Sequence, residues 1–263
     1  MRNIGEDIGL LLEIADEVDR YTLEHFSQRD YQVYEKADLT PVSDIDRGAE
    51  QMIREALAAA RPDDSIYGEE YGGSMDEGLQ ARWIIDPIDG TKNFVRGVPV
   101  WATLIGLELS GEMVASVVSA PALTRRWWAG RGLGSWRSFN GEEPQANKVS
   151  KIGELKDASF SYSSLSGWEE RGRLEAFLEL TRKVWRTRAY GDFYSYMLVA
   201  EGVVDAAAEP ELEVYDMAAL VPIVEEAGGR FTSLQGKKGC AGRDALATNS
   251  HLHQRILAML GGK

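Results

Sequence analysis

The stretch Trp83-Ile-Ile-Asp-Pro-Ile-Asp-Gly-Thr-Lys-Asn-Phe94 carries the sharpest pattern in the chain. Its short apolar run ends on Asp86, which predicts a buried strand that delivers this carboxylate at its end. Pro87 interrupts the hydrogen-bond ladder because proline has no amide N–H, and a second carboxylate, Asp89, follows shortly after the first. The stretch therefore predicts a strand, a turn and a pair of carboxylates on that turn.

The residues of the turn complete a candidate site for metal and phosphate. Asp86 and Asp89 can share or bridge hard cations such as Mg²⁺, which prefer oxygen ligands. Gly90 lets the backbone come close to a ligand, and the amides of Gly90 and Thr91 suit a phosphate because Thr91 begins a helical turn. Metal ions and phosphate at one turn are the parts of a metal-assisted phosphoester hydrolase. The alternative is a plain strand-ending turn that Asp89 caps.

Three other acidic positions favour the metal site over the plain turn. Glu69 and Glu70 lie between glycines after an apolar pair, and Asp44 follows a turn that contains proline. Asp216 opens an apolar helical pattern, where a carboxylate can serve as a helix cap or as a metal ligand. The four sites together, rather than any one of them, predict a centre rich in carboxylates.

The composition excludes several classes of protein. Over 263 residues, 29 Lys and Arg against 42 Asp and Glu give a formal net charge of −13. This acidic balance argues against nucleic acid as a partner, because binding to a phosphate backbone needs a basic surface. Hydrophobic residues at 44% and charged residues at 27% are typical of a globular protein. The single cysteine, Cys240, excludes an internal disulfide framework and a cysteine-rich zinc site.

Neither a membrane span nor a signal peptide is expected from the sequence. The chain has no run of 18 apolar residues, which a membrane span would need. Residues 1–20 carry acids throughout and lack a basic start followed by a long apolar run. We therefore expect a cytoplasmic protein that acts on a small molecule and does not bind a membrane.

Helical and strand patterns alternate along the chain, which predicts α/β layering. The chain opens with an amphipathic helical pattern over residues 4–18. A segment rich in Gly, Pro, Asn and Glu, 139–149, is the best candidate for a boundary between two lobes. We predict an N-terminal α+β lobe over 1–140 that carries most metal ligands. The C-terminal α/β lobe, 141–263, is predicted to carry Asp216 and the residues that determine substrate specificity.

As a set, these motifs resemble the inositol-monophosphatase-like family of Mg²⁺-dependent phosphatases. The resemblance extends from the first helix to the stretch Asn249-Ser-His-Leu-His253. It implies an α/β fold, the layered αβαβα sandwich of the inositol monophosphatase and fructose-1,6-bisphosphatase type, and a homodimer. The motifs that carry it are Glu69-Glu70, Asp86-Pro-Ile-Asp89-Gly-Thr91 and Asp216.

The family pattern implies a role for each residue of this set around two or three Mg²⁺ ions. A Thr91 hydroxyl that is hydrogen-bonded to Asp44 would, with Glu69, activate the water that attacks the phosphate. The amides of Gly90 and Thr91 would hold the phosphate itself. The implied metal ligands are Glu69, Asp86, the Ile88 carbonyl, Asp89 and Asp216.

Further motifs resemble the histidinol-phosphate phosphatases of this family, which act in histidine synthesis. Inositol phosphatases typically carry Thr or another small residue after the position of Gly191, and then Ala, whereas this chain has Asp192-Phe193. This departure argues against inositol as the substrate. The motifs are Asp38-Leu-Thr-Pro-Val-Ser-Asp44, Phe94-Val-Arg-Gly-Val-Pro-Val-Trp101, Ala120-Pro-Ala122, Arg126-Trp-Trp128 and Arg188-Ala-Tyr-Gly-Asp192-Phe193.

Charge favours the same substrate. Histidinol phosphate carries a protonated amine and an imidazole, whereas inositol is neutral. The family pattern implies that Glu209 contacts the substrate, and Asp192 would add a carboxylate near it beyond those that the metals need. A carboxylate that faces an ammonium forms a strong charge-assisted hydrogen bond. We expect these two residues to bind the amine and the imidazole. The alternative for Asp192 is a cap on the helix that starts near Phe193.

Two other functions stay open at this point. The same mechanism on another substrate would make the protein an inositol-1-phosphate, fructose-1,6-bisphosphate or adenosine 3′,5′-bisphosphate phosphatase. A catalytically silent relative would instead bind metal or a partner and regulate it. Every implied metal ligand is present together with Asp44 and Thr91, and this argues against a silent relative.

Overall fold

The computed structural model describes residues 2–36, 41–76, 78 and 80–261. Residues 38–40, which belong to one of the substrate motifs, lie outside these ranges. Within the described ranges, no helix combines the length and the apolar character that a membrane crossing requires.

A large, mostly antiparallel sheet forms the first half of the fold, preceded by a two-stranded ribbon. The ribbon pairs β1 Val33–Glu35 with β2 Pro41–Ser43. The sheet consists of β3 Ser65–Gly68, β4 Gly72–Gly73, β5 Ala81–Asp89, β6 Ala102–Leu109, β7 Glu112–Ala120, β8 Arg125–Gly130, β9 Gly134–Phe139 and β10 Gln145–Ala146. Its order is β10-β9-β8-β7-β6-β5-β3-β4, and the β3–β5 pair alone is parallel among these described strands.

A second, mixed sheet forms the other half. Its strands are β11 Ser159–Ser161, β12 Arg186–Arg188, β13 Ala206–Glu209, β14 Arg230–Thr232 and β15 Ala245–Thr248. Their order is β12-β11-β13-β15-β14. β11 lies parallel to both of its neighbours, whereas β15 lies antiparallel to both of its own.

Helices cover both faces of both sheets, so the layers alternate α, β, α, β, α. Helices α1 and α2 pack on the outer face of the large sheet, α6 to α8 lie between the sheets, and α5 and α9 cover the outer face of the small sheet. The predicted αβαβα sandwich is confirmed. The helices are α1 Ile4–Gln28, α2 Asp44–Ala60, α3 Thr91–Arg96, α4 Ser166–Glu170, α5 Leu174–Lys183, α6 Asp192–Ala200, α7 Val214–Ala218, α8 Leu220–Glu226 and α9 His253–Leu260.

Strand β6 shows why both faces of the large sheet are covered. Its first six residues, 102–107, are buried without interruption, as expected for a strand with helices on both sides rather than water on one. Leu104 packs in the core between the two sheets, and Ile105 packs against α1 and α2 on the other face. One core therefore binds the two sheets together, and it includes β8 residues such as Trp127 as well as much of α6 and α8.

The structure departs from the sequence predictions at two places. β5 continues through Pro87 to Asp89, because a shift of register between Asp86 and Asp89 leaves proline outside the ladder. The helical pattern that Asp216 was expected to open begins instead at Val214 and is divided between α7 and α8. The first sheet ends with β10, beyond residue 140, so the division into lobes at that residue stays a prediction.

A buried ion pair joins the layer between the sheets to the large sheet. Glu201, just after α6, accepts two hydrogen bonds of 2.8 Å from Nη2 of Arg125 on β8. Trp127 Nε1 donates a third, at 2.7 Å. The Glu201 side chain is 6% exposed, so its loss would leave an indole N–H and a guanidinium without their acceptor.

We predict that Glu201→Ala lowers the free energy of unfolding by about 2–3 kcal/mol, because it leaves the partners of a buried carboxylate unpaired. Glu201→Gln should cost less, since its amide oxygen still accepts from the indole. Urea unfolding measures both. The matched control is Glu179→Ala, which removes an exposed pair with Lys183 and should leave stability unchanged. Equal losses at the two positions would contradict the role of the Glu201 pair.

Candidate active site

Three carboxylates converge at the end of β5. Asp86, Asp89 and Asp216 each offer an oxygen, and these oxygens all lie within 4.8 Å of one another. The shift of register in β5 places the first two on one side of the strand end. The third comes from α7, which packs against β5. The fold therefore brings Asp86, Asp89 and Asp216 together, as the sequence predicted.

Asp216 takes part in two hydrogen bonds with Glu213 at the start of α7, one through its side chain and one through its backbone N–H. Glu213 precedes the helix, and its amide N–H donates to Asp216 Oδ2 at 2.7 Å. The two residues form a reciprocal capping box, so Asp216 is the third residue of the helix rather than its first. This bond fixes the Asp216 side chain beside the other two carboxylates.

Glu69 and Glu70 reach the same site from the turn between β3 and β4. The Glu69 carboxylate raises the pKa of Asp86 by charge repulsion, so the two side chains are neighbours. Lys36 Nζ lies 2.8 Å from Glu69 Oε1 and 2.6 Å from Glu70 Oε1. Beneath the turn, the fully buried Glu50 carboxylate accepts from the Glu70 N–H at 2.7 Å. The Glu50 carboxylate therefore fixes the backbone of this turn, and the Lys36 ammonium pairs with its two acidic side chains.

The electrostatics of this cluster are those of carboxylates forced together out of water. Burial and then the Glu69 carboxylate raise the pKa of Asp86 well above its usual value. Burial and then Asp192 do the same for the pKa of Asp89. Burial raises the pKa of Asp216 to about 7, against the hydrogen bond from the Glu213 N–H. Like charges at this spacing resist ionisation unless a cation joins them.

The donor set fits a hard divalent cation. Its groups are carboxylate oxygens, close together, poorly solvated and in excess over the single Lys36 ammonium beside them. Mg²⁺ takes oxygen ligands of this kind. The Ile88 carbonyl accepts from the Thr91 hydroxyl at 3.0 Å, so it lies at the same turn. Its assignment as a ligand, like that of the carboxylates, stays a prediction.

The carboxylate beside Thr91 is Asp46, and not Asp44 as the sequence analysis expected. Thr91 Oγ1 lies 3.2 Å from Asp46 Oδ1. Asp44 is exposed at the start of α2, where its carboxylate accepts from the Gln32 N–H at 2.9 Å. The reason lies in the helix start: Ser43 caps α2, and Asp46 closes the capping box from the buried face. The expected pairing of Asp44 with Thr91 is therefore wrong.

Asp46 is a buried acid that can still ionise. Burial raises the pKa of Asp46 to about 6, although hydrogen bonds from Ser43 oppose the shift. The Ser43 N–H donates to Asp46 Oδ2 at 2.8 Å, which leaves Oδ1 toward Thr91. At neutral pH most of this group is ionised and can accept a proton.

Gly90 brings the backbone close to the Val100 carbonyl and to Asp192. It has a φ of +85°, and a Cβ there would lie 3.0 Å from the Val100 carbonyl oxygen. The same Cβ would lie 3.3 Å from Asp192 Oδ2. The start of α3 and Asp192 are therefore neighbours, which the sequence alone did not indicate.

Asp192 begins α6 but does not cap it. The N-cap of α6 is Gly191, which has no side chain to cap with, and Asp192 Oδ2 accepts from the side-chain Nδ2 of Asn93 at 3.2 Å. The helix start is held by Asp89, whose Oδ2 accepts from the Phe193 N–H at 2.7 Å. The alternative reading of Asp192 as a helix cap is therefore wrong, and its carboxylate stays available beside the cluster.

Glu209 ends β13 next to the same position. Its side chain is almost fully buried, and burial raises the pKa of Glu209 to about 8, with Asp192 adding to the shift. The Ser163 hydroxyl donates to Glu209 and accepts from the Asp192 N–H at 2.8 Å. One serine, which sequence reasoning missed, thus orders both acids that were expected to contact the substrate.

A cavity of ≈ 940 Å³ brings these groups to one opening. It is lined by the expected residues Glu69, Asp89, Gly90, Thr91, Asp192, Glu209 and Asp216. Lys36, Ser163 and Tyr196 also line it, and no motif in the sequence pointed to them. They come from a ribbon, a strand end and a helix interior, so only the tertiary fold brings them together.

The amino-acid sequence is similar to those of known phosphatases. The model of the inositol monophosphatase family matches residues 7–261. A histidinol-phosphatase from Mycobacterium tuberculosis is 54% identical over 256 residues, which cover 97% of this chain and 98% of that protein. A histidinol-phosphatase from Streptomyces coelicolor is 52% identical over 259 residues, with 97% of each chain covered.

A solved structure shares the layered architecture. The extragenic suppressor protein suhB from Bartonella henselae has a TM-score of 0.86 and 29% identity, covering 97% of this chain and 98% of that one. A metal-dependent phosphatase family accounts for the acidic cluster at the end of β5. Because the family model matches nearly the whole length of the chain, the chain belongs to the inositol monophosphatase family.

Proposed function

We propose that this chain is a Mg²⁺-dependent phosphomonoesterase that hydrolyses L-histidinol phosphate to L-histidinol and phosphate. The observation that carries the proposal is the pair of acids, Asp192 and Glu209, that the fold adds beside the carboxylate cluster. Two relatives named histidinol-phosphatase, each more than half identical to the chain, support the same substrate.

The metal part of the proposal assigns two or three Mg²⁺ ions to the acidic cluster. Glu69, Asp86, Asp89, Asp216 and the Ile88 carbonyl would hold them. When bound, such ions would offset the negative charge of the phosphate oxygens and would lower the pKa of a water in the site. The convergence of the described carboxylates and the raised pKa values of Asp86 and Asp89 support this assignment.

The chain's own residues would position and deprotonate the attacking water. The Thr91 hydroxyl lies between Asp46 Oδ1, 3.2 Å away, and the Ile88 carbonyl oxygen, 3.0 Å away. Its single hydrogen can go to either acceptor, which leaves an oxygen lone pair for a water O–H. Asp46 would accept the proton through Thr91, and the amides of Gly90 and Thr91 would bind the phosphate.

The extra acids would bind the organic part of the substrate. Asp192 uses Oδ2 for Asn93 and keeps Oδ1 for an ammonium. A cation beside Glu209 would favour the ionised form of this acid, which burial alone disfavours. A neutral polyol offers no such compensation, so the pocket should prefer the cationic substrate.

The homodimer and the cytoplasmic location expected from the sequence stay predictions, as does the number of ions.

The structure places Asp46 rather than Asp44 beside Thr91, and substituting each residue in turn tests the mechanism directly. Asp46→Asn should lower kcat at least about 100-fold, since it removes a general base. Asp44→Asn should change kcat by less than about twofold, because Asn still accepts from the Gln32 N–H. Phosphate release at saturating substrate measures both, with thermal melting as the check on folding. A loss in Asp44→Asn with full activity in Asp46→Asn would contradict the assignment.

The substrate is tested by comparing kcat/KM for four phosphate esters in wild type and Asp192→Asn. The panel is L-histidinol phosphate, inositol-1-phosphate, fructose-1,6-bisphosphate and adenosine 3′,5′-bisphosphate. Wild type should prefer histidinol phosphate by at least about tenfold, or about 1.4 kcal/mol of transition-state binding. Asp192→Asn should lose about that factor on histidinol phosphate and little on inositol-1-phosphate.

Glu170→Gln provides the matched control for this panel. Glu170 also lines the cavity, but its side chain is exposed, so water screens its charge and the change should have little effect. Preference of the wild type for inositol-1-phosphate would overturn the proposed substrate and leave the metal site standing. Absence of phosphate release from every ester would favour a silent relative.

A further inference from the structure

Tyr196 is a buried hydroxyl in the active-site cavity that the proposed mechanism does not use. It lies in the interior of α6, is 1% exposed and lines the cavity. Within the described ranges its hydroxyl has no hydrogen-bond partner. Native proteins seldom leave a buried polar atom unpaired, so such an atom in a binding cavity indicates a partner that arrives from outside.

The position of this hydroxyl is fixed. The Tyr196 ring belongs to the core between the two sheets and lies 5.6 Å, centroid to centroid, from Phe231. The start of α6 is tied to the acidic cluster by the bond from the Phe193 N–H to Asp89. The phenol therefore cannot turn toward bulk water without disturbing the core, and it keeps its place in the free protein.

The surroundings make Tyr196 a hydrogen-bond donor. Burial and then the carboxylates of Glu209, Asp89 and Asp216 raise the pKa of Tyr196 well above its usual value. The phenol is therefore a hydrogen-bond donor in a pocket that also contains the carboxyl groups of Asp192 and Glu209, which are acceptors when ionised.

We propose that Tyr196 is a specificity-determining residue that donates a hydrogen bond to the unprotonated ring nitrogen of an imidazole-bearing phosphomonoester. The inference rests on the proposed function. A neutral imidazole presents one N–H donor and one bare nitrogen acceptor. The pocket then matches each group in turn: carboxylates for the ammonium and the ring N–H, and the Tyr196 hydroxyl for the bare nitrogen.

The test uses Tyr196→Phe, which keeps the ring and removes only the hydroxyl. Its kcat/KM for L-histidinol phosphate should fall about tenfold, because one hydrogen bond to the substrate is lost. Its kcat/KM for O-phosphoethanolamine, which has the phosphate and the amine but no ring, should stay within about twofold of wild type. The inhibition constant of L-histidinol should rise while that of inorganic phosphate does not change.

Tyr194→Phe provides the matched control on the same helix. The Tyr194 hydroxyl accepts from Arg125 Nη1 at 3.1 Å, so its loss should leave the ratio of the two substrates unchanged. The melting temperature of Tyr196→Phe without substrate should equal or exceed that of wild type, because an unpaired buried hydroxyl is removed. A lower melting temperature with an unchanged substrate ratio would show a purely structural role and overturn the proposal.

The remaining outcomes separate this inference from the proposed function. An equal loss on both esters would place Tyr196 at the reacting phosphate and overturn its role in ring recognition. Full activity of Tyr196→Phe on histidinol phosphate would overturn it as well. If wild type does not prefer histidinol phosphate over the other esters, the proposed function itself fails, and this inference fails with it.

Discussion

The repulsion among buried carboxylates at the end of β5 is the constraint on which the rest of the site depends. Asp86, Asp89 and Asp216 lie close enough to share one ion, and burial raises the pKa of each. Nothing in ordinary core packing favours such a group. Its cost is offset by protons or by a bound cation, so without metal the ionised cluster lowers the stability of the fold.

The same carboxylates organise the substrate pocket. Asp89 accepts from the Phe193 N–H, so the first turn of α6 is fastened to the cluster. That turn carries Asp192, whose φ of +45° is unusual for a residue other than glycine. Ser163 and Asn93 hold Asp192 from either side. The carboxylate cluster and the residues proposed to recognise the substrate are thus joined by hydrogen bonds across the two sheets.

Local sequence patterns predicted the features that depend only on residues adjacent in the chain. The apolar run that ends on Asp86, the turn and the helix start at Thr91 all follow from residues adjacent in the chain, and the structure has all three. The αβαβα layering followed from the resemblance of the acidic motifs to a known family. These features need no knowledge of which elements meet in space.

What the sequence could not supply depends on distant contacts or on the face of a helix. Asp44 and Asp46 both suit the start of α2, and only the packing of that helix shows that Asp46 faces Thr91. Lys36 and Tyr196 carry no motif, since each becomes part of the site through elements far apart in the chain. The structure identifies Lys36 by its ion pairs with two acids, and Tyr196 by a buried hydroxyl that has no partner among the described residues.

The most direct test of this account is the thermal stability of the protein with and without Mg²⁺ as the pH rises. Carboxyl groups with raised pKa values stabilise the fold while protonated and lose that effect as the pH passes their folded pKa. The values of about 7 for Asp216 and about 8 for Glu209 set the upper end of the pH window, and the ordinary pKa of a carboxyl group sets its lower end. Metal-free protein should therefore melt at lower temperature as the pH rises from about 4.5 to about 8, and should change little above that.

Mg²⁺ should raise the melting temperature most at the upper end of this window, where the ligands are ionised, and Asp89→Asn should weaken both effects. A melting temperature that does not fall with pH in the metal-free protein, and that Mg²⁺ does not raise, would contradict the account.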